Sequence, residues 1–237
     1  MPDVLTLLSF GSRGWGDELL RGAALTLALA LATLPFGVTL GLLLAFAKNS
    51  REPSLRLFGH AVTTLFRGLP ELLTLFLVYF GGQQAIRAVA GLLGSAEPWR
   101  LNGFVAGVIA LGVVFAAYSS EVFLGALQVL SRGSVEAARA LGFRPWHSFR
   151  LVIAPELFRL ALPGLSNVVL SLVKQTSLVA VISYEELLRA TAIAAGSTHQ
   201  PLFFFAIACL LYLGLTALFA LVLGRVDQSV NRGLRAP

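Results

Sequence analysis

The chain has 237 residues, of which 57% are hydrophobic and 13% are charged, and its mean hydropathy is +0.81. A soluble domain of this length keeps about a quarter of its residues charged, so the composition excludes an ordinary soluble fold. Lipid offers backbone groups no hydrogen-bonding partners, and the alternating pattern of barrel strands is absent. The sequence therefore predicts an all-α fold, a polytopic helical bundle in a membrane.

The net charge of +6 does not indicate a nucleic-acid partner, because the basic residues are scattered between apolar segments and form no stripe. The single cysteine, Cys209, allows no disulfide within the chain. His60, His147 and His199 lie in separate segments without the spacing of metal ligands, so no metal site is expected.

Five apolar segments are long enough for helices that cross a bilayer, which takes roughly 20 residues. We expect them at about 19–47, 70–90, 102–130, 161–182 and 201–224. They form a single transmembrane domain, 19–224, between a short N-terminal segment, 1–18, and a basic tail, 225–237. No internal repeat is visible in the sequence.

The regions around these spans carry recognisable patterns as well. Pro35-Phe-Gly37 interrupts the first span and predicts a kink. Residues 55–66 are expected to form an interfacial or tilted helix, and Pro70 lies in the first turn of span two, where a missing N–H costs nothing. A short polar loop follows at 95–101, and 183–200 is an outer segment that is amphipathic at first.

Five spans place the two termini on opposite sides of the membrane, and the positive-inside rule assigns those sides. The segments 48–56, 131–160 and 225–237 hold three, five and three Lys or Arg residues, against five on the opposite side. The sequence therefore predicts an extracytoplasmic N-terminus, a cytoplasmic loop at 131–160 and a cytoplasmic C-terminus.

The longest polar-rich break, 131–160, has the pattern of two short helices joined by a tight turn. Ser134 is expected to cap a helix that begins at Val135. Glu136 then lies in the first turn, where the helix dipole favours a carboxylate. Gly142 suits the left-handed residue that commonly ends a helix.

The rest of this break predicts its surface and its second helix. Ala137 and Ala138 give the first helix a smooth surface. Pro145 can open a second helix, over residues 146–154, which Pro155 bends or ends. On physical grounds the segment suits a plain amphipathic connector or docking into a groove of another protein.

The order of motifs in the chain resembles a known family of transport proteins. Glu136-Ala-Ala, Gly142 and Pro155 resemble the "EAA" loop of ABC importer permease subunits, with Val152 and Ala154 where that family usually has Ile and Leu. The other matching motifs are Phe66-Arg-Gly-Leu-Pro-Glu71 with Tyr79-Phe-Gly81, Ala117-Tyr-Ser-Ser-Glu121 and Leu172-Val-Lys-Gln-Thr-Ser-Leu178. Together these motifs, over about 20–225, resemble the polar amino acid uptake group, and within it the arginine/histidine/opine-type permeases.

This resemblance implies a type I ABC importer permease in the bacterial inner membrane, which is a transport subunit and not an enzyme. It implies a cytoplasmic ABC ATPase dimer docked on the 136–155 loop, a second permease chain, homologous or identical, and an extracytoplasmic solute-binding protein. It also implies that this chain binds no cofactor, since ATP and Mg are used by the ATPase partner. In agreement, the sequence has no Gly-x-x-x-x-Gly-Lys-Ser/Thr phosphate loop.

Charged and polar side chains within the spans are candidates for the solute path, because a charge in mid-bilayer costs at least about 2.5–3.5 kcal/mol. Lys174 lies roughly 20 Å along its helix. With Asn167, Gln175 and Thr176 it is expected to form a polar side of span four. Glu121 in span three is as open to an ion pair with Lys174 as to contact with a solute.

Glu71 has two readings that the sequence leaves open. It follows Pro70 at a helix start, where the dipole alone accounts for a carboxylate. The arginine/histidine-type relatives tend to carry an acid at this position, which favours a basic solute of the arginine, histidine, ornithine or opine class. Arg67 is expected to fix the loop and not to contact the solute.

Two other classes of protein remain open at this point. An ion-coupled secondary amino acid transporter would need no ATPase, although such folds often show inverted repeats. A membrane scaffold protein without transport activity would leave Lys174 and Glu121 with structural roles alone.

Overall fold

The structure is a computed structural model, and all the regular elements that it describes are helical. It describes residues 4–11, 14–93, 100–130, 132–182 and 184–231. The helices in chain order are α1 (Val4–Leu7), α2 (Gly16–Lys48), α3 (Pro53–Gly68), α4 (Glu71–Phe76), α5 (Gly82–Leu92), α6 (Gly103–Val129), α7 (Arg132–Ala140), α8 (Pro145–Ser148), α9 (Ala154–Gln175), α10 (Leu187–Thr198) and α11 (Pro201–Asn231). The predicted all-α fold class is confirmed.

Three further helical turns connect these elements. π-helical turns at Leu77–Gly81 and Phe149–Ile153 join α4 to α5 and α8 to α9, respectively. A 3-10 helix, Thr176–Ile182, extends α9. The chain is therefore helical without a break over Glu71–Leu92 and over Pro145–Ile182.

Within the described residues, five helical stretches are long and apolar enough to cross a membrane, which is the number that the sequence predicts. They are α2, Glu71–Leu92, α6, Pro145–Ile182 and α11. Because α11 continues to Asn231, the predicted tail, 225–237, begins as helix. Residues 232–237 of that tail, and most of the predicted loop at 95–101, lie outside the described part of the chain.

Buried apolar clusters show that successive spans alternate in direction. Leu19 at the start of α2 packs with Leu187 of α10 and Phe204 at the start of α11, at what we call the α10 end. At the other end, which we call the α7 end, Phe123 near the end of α6 packs with Leu157 near the start of α9. A third cluster between them joins α2, α4, α6, α9 and α11.

The close contact between α2 and α6 depends on small residues, as is common in membrane bundles. A Cβ atom added at Gly41 would collide with the side chain of Ser119. One turn earlier, a Cβ atom at Gly37 would lie 2.5 Å from the ring of Phe115. Larger residues at these positions would push the two helices apart, so the glycines set their distance.

The helix of the first span is not interrupted at Pro35-Phe-Gly37, and the kink expected there stays a prediction. α2 is one continuous helix from Gly16 to Lys48. The hydroxyl of Thr39 donates to the carbonyl of Pro35, at 2.7 Å, within the same helix. Gly37 packs closely against Phe115 of α6 in the same region.

Pro155 likewise does not end a helix, which corrects the second helix predicted for residues 146–154. The chain is helical throughout Pro145–Ile182, and Pro155 lies in the first turn of α9. The π-helical turn directly before it, Phe149–Ile153, widens the helix and makes room for the ring. Span four therefore begins well before the predicted residue 161.

The separate helix predicted for residues 55–66 is confirmed as α3, which is slightly longer. α3 ends at Gly68, and Leu69 and Pro70 are both extended, with ψ angles of 141° and 133°. α4 then begins at Glu71, so Pro70 precedes the helix and does not lie in its first turn. We refer to residues 67–71 as the corner.

Candidate functional site

A cavity of about 320 Å³ lies between α4, α6 and α9. This volume falls in the range of small-molecule sites. The lining combines amide, hydroxyl and aromatic groups with one carboxylate, from Glu71, Phe115, Tyr118, Asn167, Val168, Ser171 and Gln175. Glu71 carries the one charge among these seven described residues.

Glu71 is held on the cavity wall from two directions. The corner starts α4 at this residue, so its carboxylate lies at the helix N-terminus, where the dipole favours a negative charge. Across the cavity, Nε2 of Gln175 donates a hydrogen bond to Oε1 of Glu71, at 2.6 Å. The helix dipole and a hydrogen-bond partner on α9 therefore both act on this carboxylate.

The α9 wall of the cavity follows helical spacing. Asn167, Ser171 and Gln175 are four residues apart, so they lie on one face of α9. The sequence prediction included Asn167 and Gln175 but missed Ser171. The same i, i+4 spacing applied from either neighbour would have found it.

Lys174 and Thr176 do not share this face, so the polar side predicted for span four is wrong in that respect. Lys174 is exposed. Thr176 is fully buried and donates to the carbonyl of Val173 at 2.7 Å. Successive residues of a helix point about 100° apart, so three consecutive polar residues cannot line one wall.

Glu121 also lies outside the wall of this cavity, and its ion-pair partners are not Lys174, the partner that the sequence left open. Oε1 of Glu121 is 3.1 Å from Nζ of Lys48 and 2.8 Å from Nη1 of Arg67. Lys48 additionally donates to Oγ of Ser120, at 2.9 Å. The structure therefore brings together three charges from α2, α3 and α6.

Lys48 is the functional candidate that the sequence analysis missed. Its side chain is fully buried, although it lies at the last position of α2 and was counted with the following loop. Gly59 of α3 lies against its aliphatic stem, where a Cβ atom would approach Cγ of Lys48 to 2.8 Å. The glycine thus lets α3 cover the lysine.

The segment between α6 and α9 forms the predicted tight turn. Gly142 has a φ angle of +77°, which confirms the left-handed residue. The N–H of Phe143 donates to the carbonyl of Ala138 at 3.1 Å, and that of Leu141 donates to Ala137 at 3.0 Å. This pattern closes the C-terminus of α7 in the manner usual for a glycine cap.

The start of α7 differs from the prediction. The helix begins at Arg132 and not at Val135, so Ser134 lies inside it and does not precede it. Glu136 is consequently the fifth residue of the helix, beyond the first turn. The backbone turns already at Leu130, with a ψ angle of 127°, and this early turn moves the helix start toward α6.

The surface of this segment is also less smooth than predicted. Glu136 and Ala137 are exposed, but Ala138 is buried, with 3% of its surface accessible. The most exposed large hydrophobic side chains here are Leu141 and Trp146, at 75% and 65%. Arg144 and His147 are exposed beside them, so the protruding surface of the α7–α8 turn combines apolar and aromatic groups with basic ones.

A second buried polar site, at the α10 end, was not found from the sequence. Glu186 is fully buried and precedes α10. Its Oε2 accepts hydrogen bonds from Tyr212 at 2.6 Å and Thr26 at 3.2 Å, and its Oε1 accepts one from the N–H of Arg189 at 2.9 Å. Burial raises the pKa of the Glu186 carboxyl, and these donors oppose the rise. The hydrogen bonds of Glu186 thus connect α2, α10 and α11.

Five alternating spans, a polar cavity among them and an exposed helical turn at one end define a membrane transport subunit. The described part of the chain offers a solute-sized site within the bundle and, outside it, an exposed surface with protruding apolar side chains. The first suits a passing small molecule, and the second suits a protein partner.

Comparison with known proteins identifies this subunit more closely. The model of the family described as "Binding-protein-dependent transport system inner membrane component" matches residues 37–232. The chain is 42% identical over 233 residues to the nopaline transport system permease protein NocQ of Agrobacterium fabrum, covering 98% of this chain and 99% of that protein. It is 36% identical over 223 residues to the histidine/lysine/arginine/ornithine permease HisQ of Salmonella typhimurium, covering 94% and 97%.

Solved structures agree with this assignment. A chain of an amino acid ABC transporter has a TM-score of 0.74 at 27% identity, with 91% of this chain and 95% of that chain covered. A chain of the MetNI methionine ABC transporter has a TM-score of 0.70 at 21% identity, with 90% and 96% covered, and supports the fold alone.

The chain belongs to the family of binding-protein-dependent transport system inner-membrane components. It is a multi-pass permease subunit of an ABC importer in the inner membrane, and ATP hydrolysis lies in a separate subunit. The family works with an ATPase and a solute-binding protein. The two alternative classes, an ion-coupled transporter and a scaffold protein, are thereby set aside.

Proposed function

We propose that this subunit carries a basic amino acid or a related opine through the cavity beside Glu71. The supporting observation is the single carboxylate on the wall, which faces the amide of Gln175 and the polar α9 face. A cationic side chain gains a charge-assisted hydrogen bond there, and the amides and hydroxyl suit the polar groups of an amino acid. The names of the relatives NocQ and HisQ point to the same solute class.

Movement of the solute would follow from alternating access. The ATPase dimer docks on the cytoplasmic segment 131–160 and uses ATP and Mg, whereas this chain binds no cofactor. In this proposal Glu136, Ala137, Gly142 and the exposed Leu141 form the contact, and Pro155 lies where the segment enters span four. The burial of Ala138 gives it a supporting role under that surface.

The remaining parts of the assembly complete the proposal. The chain pairs with a second permease subunit, homologous or identical, and receives solute from an extracytoplasmic binding protein. The N-terminus lies outside and the α7 end faces the cytoplasm, as the distribution of Lys and Arg favours. Lys174, Thr176 and Glu121 lie off the cavity wall, so any contact they make with solute occurs elsewhere on the path.

Equilibrium binding of arginine and citrulline to the purified complex tests the solute class. Citrulline has nearly the shape of arginine but no charge on its side chain, so the ratio of the two dissociation constants isolates the charge. The binding protein is left out, so that binding reports on the membrane subunits. We expect arginine to bind more tightly, and Glu71→Gln to weaken arginine by about 10- to 100-fold with little effect on citrulline.

Glu52→Gln is the matched control, because Glu52 is exposed before α3 and distant in sequence from the cavity lining. It should leave both dissociation constants unchanged. If Glu71→Gln weakens arginine and citrulline equally, the carboxylate serves the helix start alone, and the proposal for a basic solute fails.

A further inference from the structure

The corner between α3 and α4 has little packing of its own. Arg67, Gly68 and Pro70 are exposed, and a Cβ atom added at Gly68 would meet nothing within 4 Å. Polar contacts hold its two ends instead. At one end Arg67 binds Glu121 of α6, and at the other Glu71 accepts from Gln175 of α9.

The backbone of the corner is restricted, so the position of Arg67 affects the position of Glu71. Only two residues separate the helical residue Gly68 from the helical residue Glu71, and one of them is a proline. Proline fixes its own φ angle and restricts the residue before it, here Leu69, to extended conformations. A shift at Arg67 therefore moves Glu71 instead of being absorbed between them.

The anchor on α6 is itself fixed. The buried ammonium group of Lys48 binds Glu121 and Ser120, so the acceptor of Arg67 is tied to both α2 and α6. The contact of Arg67 is by contrast accessible, since the side chains of Arg67 and Glu121 are 43% and 37% exposed. The guanidinium also lies 5.7 Å from the ring centroid of Tyr118, which lines the cavity.

We propose that Arg67 is a positioning residue, whose ion pair with Glu121 sets where the carboxylate of Glu71 meets the solute. This inference rests on the proposed function for the role of Glu71, but its structural part does not. In this proposal the buried ion pair of Lys48 with Glu121 stays formed, and the accessible ion pair of Arg67 with Glu121 opens when α4 moves relative to α6.

Binding to the purified complex gives a test in which two explanations predict opposite signs. Removing the positive charge in Arg67→Gln should tighten arginine binding if only through-space electrostatics acts. If Arg67 positions Glu71, the same variant should weaken arginine relative to citrulline by about 3- to 10-fold. Arg67→Lys keeps the charge and an ion pair, so it should restore most of the ratio.

The double variant Arg67→Gln/Glu71→Gln identifies the route of the effect. Because Arg67 acts through Glu71, the double variant should bind arginine no more weakly than Glu71→Gln alone. Arg56→Gln, an exposed arginine on the same helix, is the matched control and should change nothing. Unchanged or tighter arginine binding in Arg67→Gln, with Glu71→Gln behaving as proposed, overturns the inference while leaving the proposed function intact.

A second measurement does not depend on the solute. In a Cys209→Ser background, Glu71→Cys is labelled with an uncharged methanethiosulfonate reagent, so that loss of the Arg67 charge does not itself attract the reagent, with and without Arg67→Gln. We expect the labelling rate to rise by about threefold or more when Arg67 is replaced, and to stay constant with Arg56→Gln. An equal rate in all three proteins rejects the positioning role, even if Glu71 proves irrelevant to the solute.

Discussion

The buried carboxylate of Glu186 offers a test in which one hydroxyl group is removed. In Tyr212→Phe, the aromatic ring stays in the cluster with α2 and α10, but the 2.6 Å hydrogen bond to Oε2 of Glu186 is lost. Thr26, at 3.2 Å, becomes the one remaining side-chain donor to that oxygen in the described structure. The carboxylate is fully buried, so we do not expect water to replace the hydroxyl without disturbing the packing.

The size of the effect follows from the charge of Glu186. A hydrogen bond to a charged group contributes about 1.5–3 kcal/mol, and one between neutral groups about 0.5–1.5 kcal/mol. For a chain of this length the larger range corresponds to a decrease of about 3–12 °C in melting temperature. We therefore expect the melting temperature of Tyr212→Phe to fall by this amount where the Glu186 carboxylate is ionised, and by less where it is protonated.

The dependence on pH separates these two cases. Burial holds the pKa of Glu186 above its usual value in the folded protein, so the folded state binds this proton more tightly than the unfolded state. The resulting stabilisation is complete below the unfolded pKa and is lost as the pH rises through the folded pKa. The Tyr212 hydroxyl favours the ionised form, so its removal should cost more as the pH rises.

The assay is thermal unfolding of the purified complex in detergent, followed by tryptophan fluorescence between about pH 4.5 and 8, a range that brackets the ordinary pKa of a carboxyl. Tyr184→Phe is the matched control, because Tyr184 lies two residues before Glu186 and its hydroxyl forms no hydrogen bond in the described structure. Equal decreases for Tyr212→Phe and Tyr184→Phe, or a decrease independent of pH, would refute the reasoning.

Two further predictions concern the α7 end. Gly142→Asn and Gly142→Asp both tolerate the left-handed φ angle of +77°, whereas Gly142→Val is strained by about 1–2 kcal/mol. Co-purification of the ATPase should persist with Gly142→Asn. It should be lost with Gly142→Asp, which adds a charge to the docking face, and with Gly142→Val, which strains the turn. Equal retention by the Asp and Asn variants would exclude a docking face at this position. Lys48→Met should cost about 1–3 kcal/mol in thermal unfolding because Ser120 and Glu121 lose a buried donor. Lys174→Met, at an exposed position, is its control and should leave the melting temperature unchanged.

Patterns that depend on local chemistry were predicted well. The five spans follow from the length of the apolar segments, and Gly142 follows from the preference of glycine for a positive φ angle. Glu71, Asn167 and Gln175 were named together, and the structure brings them to one cavity. Each of these features is decided by a short stretch of sequence or by helical spacing.

Features that depend on tertiary neighbours were missed. In the sequence Lys48 resembles a loop residue, and only the packing of Gly59 of α3 against it shows that it is buried. Glu186 has its partners, Thr26 and Tyr212, 160 and 26 residues away in the chain. The actual partners of Glu121, Lys48 and Arg67, were not found for the same reason, since the sequence left open only a pair with Lys174. Two charges within spans suggest a pair, but the direction of each side chain decides which partner it meets.

The positions of these polar groups divide the subunit into a fixed part and a movable part. α2 contributes Thr26 to the Glu186 site and Lys48 to the Glu121 site, so it is tied by buried polar contacts near both ends. The segment from α4 to α5 has only Thr74 and Leu75 buried among its described residues. Segments with few buried contacts open at low free energy, so we expect this segment to move more readily than α2 or α6 when access to Glu71 changes.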